Sequence, residues 1–284
     1  MRSSAGRGFE ARTVGVLMVK ELRDAWRNRW FQLYAGAFTL LALALAWLGV
    51  SGVAGIGTVG LGRTAASLIH LVVLIVPLMG LTIASGTLAG ERERGALIYL
   101  FAQPVGRGEV VLGKFLGLST AILAALAIGF GLAGTVLARR GGGSEARSFV
   151  SFLALAALLA LATVSLGLLI SALSERSSVA VGAGLLLWLV LVFLGDLGLM
   201  GSALVMDLSP RQLLLSAIAN PLQEFSIAAL VAMDGGLEAL GPAGLYAERV
   251  CGAWLPWLLA GTLGLWTLVP LVATAWVIER RGAL

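Results

Sequence analysis

Six long apolar runs dominate the 284-residue chain, at about residues 31–50, 68–89, 111–138, 149–173, 179–199 and 254–278. Each reaches the roughly 20 residues needed to cross a bilayer core. Their Leu, Ala, Val and Gly content shows no period-two alternation, so it suits helices rather than the strands of an outer-membrane barrel. The pattern predicts an all-α integral membrane protein with six transmembrane helices. Two shorter amphipathic segments flank them. Over residues 12–30, Val19, Leu22, Trp26 and Trp30 form an apolar helical stripe, and Lys20, Arg23 and Arg27 form a basic face. This predicts an N-terminal interfacial helix, Trp in membrane lipid and Lys/Arg toward anionic headgroups. Between the second and third runs lies a charged island that opens with Glu91, Arg92, Glu93 and Arg94 and closes with Lys114. Inside it, Leu97, Leu100 and Phe101 share one helical face by i, i+3, i+4 spacing. Gly95 opens this short helix and Pro104 stops it.

Residues 200–253 form the longest polar-interrupted segment and carry Pro210, Pro221 and Pro242. Ser209-Pro210 predicts a helix start. Asn220-Pro221 interrupts that helix, and 222–231 resumes it. Short or re-entrant helices at the outer mouth are expected, with Trp254 and Trp257 marking re-entry into the membrane. The organisation expected is a single transmembrane domain over 1–284. Its parts are a tail and interfacial helix (1–30), a coupling segment (91–110) and an outer segment (200–253).

Composition supports the membrane class. The chain is 59% hydrophobic and 12% charged, with mean hydropathy +0.96, against about 25% charged residues in soluble domains. Fourteen Lys/Arg lie on the side of the termini and six on the other. The positive-inside bias therefore puts both termini in the cytoplasm, and in a bacterium the membrane is the inner one. The net charge of +5 is then topogenic, and nucleic acid is not an expected partner. No cleavable signal peptide is expected, because about 30 polar or mixed residues precede the first apolar run. Cys251 and His70 are each alone in their type. An internal disulfide is excluded and a His/Cys metal site built by one chain is disfavoured.

Other chemistries fail on spacing. Gly108–Lys114 approaches a phosphate-binding loop, but Phe115 stands where Ser or Thr must ligate Mg²⁺, and no strand precedes it. Lys114 is expected to snorkel at the membrane face instead. Ser85 and His70 share one helix about 22 Å apart, so they form no dyad. His70 has no intramembrane acidic partner and reads as a hydrogen-bonded packing residue. Spans one to four contain no Asp or Glu, which argues against an ion pump. Gly86-x-x-x-Gly90 and Gly113-x-x-x-Gly117 permit close helix contact and hint weakly at a dimer.

The island resembles the signature of ABC-2 type transporter permeases. Its matching elements are Glu91-Arg-Glu-Arg-Gly95, then Pro104-Val105-Gly106-Arg107-Gly108-Glu109, then Gly113-Lys114. The N-terminal helix near Lys20–Arg23, the six spans and the long outer segment extend the resemblance over the whole chain. The Gln103-Pro104-Val105 island and Asn220-Pro221 are most similar to the NosY-like branch, which serves maturation of the copper enzyme nitrous oxide reductase; Ser226 departs from that branch's pattern, where Arg follows the Phe. The resemblance implies a non-catalytic permease that dimerises with a second copy of itself and carries two copies of a cytoplasmic ABC ATPase. ATP and Mg would sit on that partner, with no cofactor or metal on this chain. Residues 96–101 would be the coupling helix, its exposed Leu97, Leu100 and Phe101 docked in an ATPase groove. Glu91, Arg92, Glu93, Arg94 and Arg107 would serve the same junction, the first four pairing with the ATPase rim. A periplasmic assembly protein would hold any copper. The alternatives are an ABC-2 exporter of a hydrophobic or amphiphilic compound and an ATPase-independent scaffold.

Overall fold

The computed structural model describes residues 10–50, 59–103, 105–138, 146–204, 210–233 and 252–281. They form α1 (Ala11–Arg27), α2 (Arg29–Val50), α3 (Val59–Glu93), α4 (Ala96–Ala102), α5 (Arg107–Ala138), α6 (Ala146–Leu173), α7 (Ser177–Leu204), α8 (Pro210–Ile218), α9 (Pro221–Ala232) and α10 (Leu255–Arg281), with one 3₁₀ turn at Gly252–Trp254. No strand occurs among the described residues. Six helices are long and apolar enough to cross a membrane: α2, α3, α5, α6, α7 and α10. These match the six apolar runs, with ends shifted by a few residues.

The spans divide by burial. Half or more of the apolar window of α3, α5 and α6 is buried, against under a third for α2, α7 and α10. The central trio packs through small residues. A Cβ on Gly167 of α6 would lie 2.7 Å from the Ala84 Cβ of α3, and one on Gly80 of α3 would collide with Thr163 of α6. Backbones can approach this closely only where the side chain is missing. The peripheral helices turn Leu40, Trp47, Leu186, Phe193, Leu268 and Val272 outward. In water such faces would be a liability, whereas in a bilayer they meet lipid or another chain.

A ladder of aromatic rings ties periphery to centre. Phe38 of α2 meets Phe130 of α5 edge-on at 5.0 Å, Phe130 meets Phe152 of α6 at 5.4 Å, and Phe152 meets Phe225 of α9 at 5.9 Å. Such pairs contribute about 0.5–1.5 kcal/mol each beyond area burial. The last rung carries α9 into the core, where Leu222, Glu224, Phe225 and Ala229 are all buried. Asn220-Pro221, expected to interrupt a helix, starts this one: the Asn220 side chain accepts from Leu222 N, and Pro221 fills the first turn. Its amide also donates to Leu191 O of α7 at 2.6 Å. Residues 234–251, expected to continue the outer segment, lie outside the described residues, as does Pro104.

The N-terminal helix is shorter than expected. α1 ends at Arg27, where Asn28 turns extended (φ −74°, ψ 120°). The Asn28 side chain then accepts from Trp30 N at 2.9 Å, capping α2. Trp30 therefore belongs to the first span and not to the amphipathic stripe. His70 does bond to its own helix, Nδ1 to Ala66 O at 2.9 Å, but its ring is exposed rather than packed.

Candidate coupling site

Helix α1 carries a carboxylate on its buried stripe. Val14, Leu17, Glu21 and Ala25 face inward, and α1 lies on the first turns of α5. Gly113 and Gly117 make this contact possible. A Cβ on Gly113 would sit 2.6 Å from Leu17 Cβ; one on Gly117 would sit 2.6 Å from Glu21 Cβ and 2.7 Å from Met18 O. The Gly113-x-x-x-Gly117 pair thus serves packing within the chain rather than between chains. Gly86 and Gly90 likewise face Ser177 of α7.

Between those glycines stands Lys114. Its side chain is 1% exposed, so it does not snorkel to the membrane face. Its Nζ lies 2.7 Å from Glu21 Oε1 and 2.8 Å from Glu91 Oε1. Lys20 closes the ring, 3.0 Å from Glu21 Oε1 and 2.8 Å from Glu91 Oε1. Two ammonium groups and two carboxylates thereby join α1, the end of α3 and the start of α5 with no net charge. A buried charge is tolerable only when paired and hydrogen-bonded in this way. Burial opposes the Lys20 ammonium, but its hydrogen bonds and charge interactions with Glu91 and Glu21 outweigh this and hold its pKa above the ordinary lysine range.

The next residues of the island also turn inward. Arg92 donates to the carbonyls of Ala172 and Ser174 at the end of α6, where the helix leaves acceptors and negative partial charge. Glu93 Oε2 accepts from Ser177 N at 3.0 Å, at the positive start of α7. The turn between α6 and α7 is thus held from both sides. Arg94 is exposed and its guanidinium lies over Gly90. Glu91, Arg92 and Glu93 consequently have partners within the chain, which the expectation of an ATPase rim did not include.

Gly95 takes φ +71°, a left-handed turn that glycine adopts without Cβ strain. It folds α4 back beneath the spans. Leu97 is 1% exposed and packs inward, whereas Ile98 and Tyr99 are 60% and 77% exposed. Leu100 and Phe101 are half-buried. The face offered outward is therefore Ile98 and Tyr99, one step around from the predicted Leu97, Leu100 and Phe101. Period alone identifies one apolar face, but a seven-residue helix lodged between two spans spends its best face on its own protein. Phe101 is covered by Arg107, whose guanidinium is 5.7 Å from the ring centre. Arg107 also donates to Glu279 O at 2.7 Å, joining α5 to the end of α10. Glu109 binds both neighbouring turns, accepting Glu10 N at 2.7 Å and Gly106 N at 2.9 Å.

Of the interfacial set, Lys20 is drawn into the ring, while Arg23, Trp26 and Arg27 of α1 and Trp30 of α2 are exposed. Sequence reasoning missed Glu21, Glu109 and Lys114 as structural partners. A usable signal existed: Glu21 interrupts the stripe Val14, Leu17, Ala25, and a carboxylate there needs a buried cation.

The sequence profile described as "ABC-2 family transporter protein" matches residues 16–283. The chain is 32% identical over 268 residues to "Probable ABC transporter permease protein NosY" of Pseudomonas aeruginosa, covering 92% of this chain and 96% of that protein. It is 31% identical, over the same shares, to the protein so described in Stutzerimonas stutzeri. Both the helical framework and the length of these matches agree, and this multi-pass membrane protein belongs to the ABC-2 family, as the permease subunit of an ABC transporter.

Proposed function

We propose that this chain converts ATP hydrolysis on a separate cytoplasmic ABC ATPase into movement of its spans, as a dimer carrying two ATPase copies. ATP and Mg would be held by that partner. The observation that carries this reading is the bonded junction around α4. The helix hangs between α3 and α5, whose adjoining ends are tied to α1 by the four-charge ring. Arg92 and Glu93 tie the same end of α3 to α6 and α7, and Arg107 ties α5 to α10. A push on α4 then moves a connected set of helix ends instead of bending a slack loop. Ile98 and Tyr99 supply the apolar, aromatic anchor that helix-in-groove docking uses. With α4 on the ATPase side, both termini are cytoplasmic and the membrane is the bacterial inner membrane.

The output we propose is maturation of the copper enzyme nitrous oxide reductase, through a periplasmic assembly protein. Similarity to proteins described as NosY supports this. The chain's single His and single Cys favour copper being held by the partner rather than on a path through the spans.

The test is affinity purification of the full chain from its native membrane, with partners identified by mass. Recovery of both an ABC ATPase and a periplasmic protein is expected. An ATPase alone would favour the exporter of a hydrophobic or amphiphilic compound, and neither would overturn the coupling reading. In the same assay, Ile98→Asp and Tyr99→Asp should each lose the ATPase while remaining in the membrane. Undiminished ATPase recovery by both would refute α4 as the docking element.

A further inference from the structure

A cavity of about 650 Å³ opens beside the charged ring, between α1, α2, α3 and α7. It runs along α3 from Glu91 to Thr82, about 13 Å by helical rise. That length is close to one leaflet of a hydrocarbon core about 30 Å thick. Its character changes along this axis. At the Glu91 end the walls are charged and hydroxylic, with Asp24 from α1, Arg94 from the turn after α3 and Ser177 from the start of α7. Deeper in, Ile83, Val181 and Leu185 make the walls apolar, while Trp30 and Tyr34 of α2 stand at one side. Trp and Tyr favour the headgroup level of a membrane.

The charges at the polar end, Lys114 of the ring included, sum to zero, but among the described residues no ion pair joins its remaining cation, Arg94, to its remaining anion, Asp24. Lys20 has its acceptors in Glu21, Glu91 and, at 3.6 Å, Asp24. Arg94 is different: its guanidinium nitrogens and Ser177 Oγ all come within 3.5–3.6 Å of the point where a Gly90 Cβ would lie. Among the described residues no carboxylate pairs with this guanidinium. An arginine fork beside a hydroxyl, over a bare glycine, fits a phosphate. On the α1 wall, the Asp24 side chain is 58% exposed and holds Lys20 only loosely, which leaves it able to accept from a primary ammonium.

We propose that this cavity binds an aminophospholipid of the inner leaflet. Its phosphate sits on Arg94 and Ser177, its primary ammonium on Asp24, and its acyl chains lie along Val181 and Leu185 toward the open side. The assignment follows from a cation and an anion on separate walls of one pocket, with an apolar continuation at membrane depth. A soluble anion would have no use for the apolar half, and a purely anionic lipid would leave its headgroup against Asp24. The site is separate from the docking face of α4, so it stands or falls independently of ATPase binding.

The test is native mass spectrometry of the full-length chain in detergent, titrated separately with phosphatidylethanolamine, phosphatidylcholine and phosphatidylglycerol. Phosphatidylethanolamine should bind with one saturable site per chain. Arg94→Ala should weaken it about tenfold, the loss of one charge-assisted hydrogen-bonded contact. Asp24→Asn should erase the preference over phosphatidylcholine, whose trimethylammonium donates no hydrogen bond. Gly86→Leu, at a cavity-lining glycine whose added Cβ would lie 3.4–3.6 Å from Val181 and Ser177, fills the space without changing charge and should also lower occupancy, and unchanged elution and melting identify the variants as folded. Equal retention of all three lipids, unchanged in the folded variants, would overturn the site as ordinary annular lipid. Tighter binding of phosphatidylglycerol than of phosphatidylethanolamine would overturn the aminophospholipid assignment.

Discussion

Lys114→Met is the sharpest perturbation of the coupling junction, because it separates holding the fold from transmitting motion. The substitution leaves Glu21 and Glu91, with side chains 5% and 11% exposed, facing each other across a lost cation. Removing one partner from a buried ion pair costs about 3–5 kcal/mol. Here Lys20 still reaches both carboxylates, at 3.0 and 2.8 Å. The lower end therefore applies, about 3 kcal/mol, or roughly a 150-fold shift in the folding ratio. Melting of the detergent-purified chain, followed by tryptophan fluorescence, should fall by roughly 6 °C or more. The triple variant Lys114→Met, Glu21→Gln, Glu91→Gln removes the stranded charges as well. Replacing a buried ionic group as a unit is often neutral or stabilising, so its melting should return to within a few degrees of the parent chain. ATP-dependent output by the complex should not return, because the charged link from α1 to the ends of α3 and α5 is gone and, among the described residues, only the Glu10–Glu109 bond still ties the start of α1 to α5. Unchanged melting of Lys114→Met would refute the buried ring. A triple variant that recovers both melting and output would show that the ring holds the fold and transmits nothing.

Three further outcomes test neighbouring contacts. Gly117→Val places a branched side chain where a Cβ alone would come within 2.6 Å of Glu21 Cβ; it should lift α1 from α5 at a cost of about 1–3 kcal/mol, seen as faster proteolysis after Arg23 or Arg27, and unaltered cleavage would refute the close packing. Leu97→Asp buries a carboxylate at a position that is 1% exposed and should lower membrane-inserted yield, in contrast to Ile98→Asp, which should leave yield intact; equal yields would refute the inward orientation of Leu97. Glu224→Gln keeps an acceptor for the Thr262 hydroxyl while removing a carboxyl whose Oε2 has no hydrogen-bond partner among the described residues; melting at pH 8 should hold or rise, and a fall of more than about 2 kcal/mol would show that the charge is needed there.

The spans were legible because crossing a bilayer imposes a length and a composition that few other structures share. Asn220-Pro221 announced the break before α9 for a similarly local reason, since proline cannot continue the preceding helix; that Asn220 caps α9 emerged only from the structure. Two features were hidden for a different reason. The outward face of α4 depends on which side its neighbours cover, and Leu97 and Ile98 look equally apolar in the sequence. The depth of Lys114 depends on Gly113 and Gly117 letting α1 descend onto α5, a tertiary event that no window of residues records. The internal bonds of the charge island were not foreseen, since a hydrophilic cluster between apolar runs reads as solvated until its partners are known.

Those partners explain why the island is written in alternating signs. Glu91 must meet lysines from α1 and α5. Arg92 must meet the carbonyl end of α6, and Glu93 the amide end of α7. Successive residues at the end of a helix point about 100° apart, so three consecutive side chains can reach three different neighbours. The required sign at each is fixed by what that neighbour leaves unsatisfied: ammonium groups, carbonyl oxygens, then amide hydrogens. A uniformly basic turn would serve the positive-inside rule equally well, but it would repel the lysines at the first position and the start of α7 at the third. The alternation is thus dictated by the packing of five helix ends, and it leaves Arg94, the fourth charge, as the one whose role is to be sought in the cavity rather than in the junction.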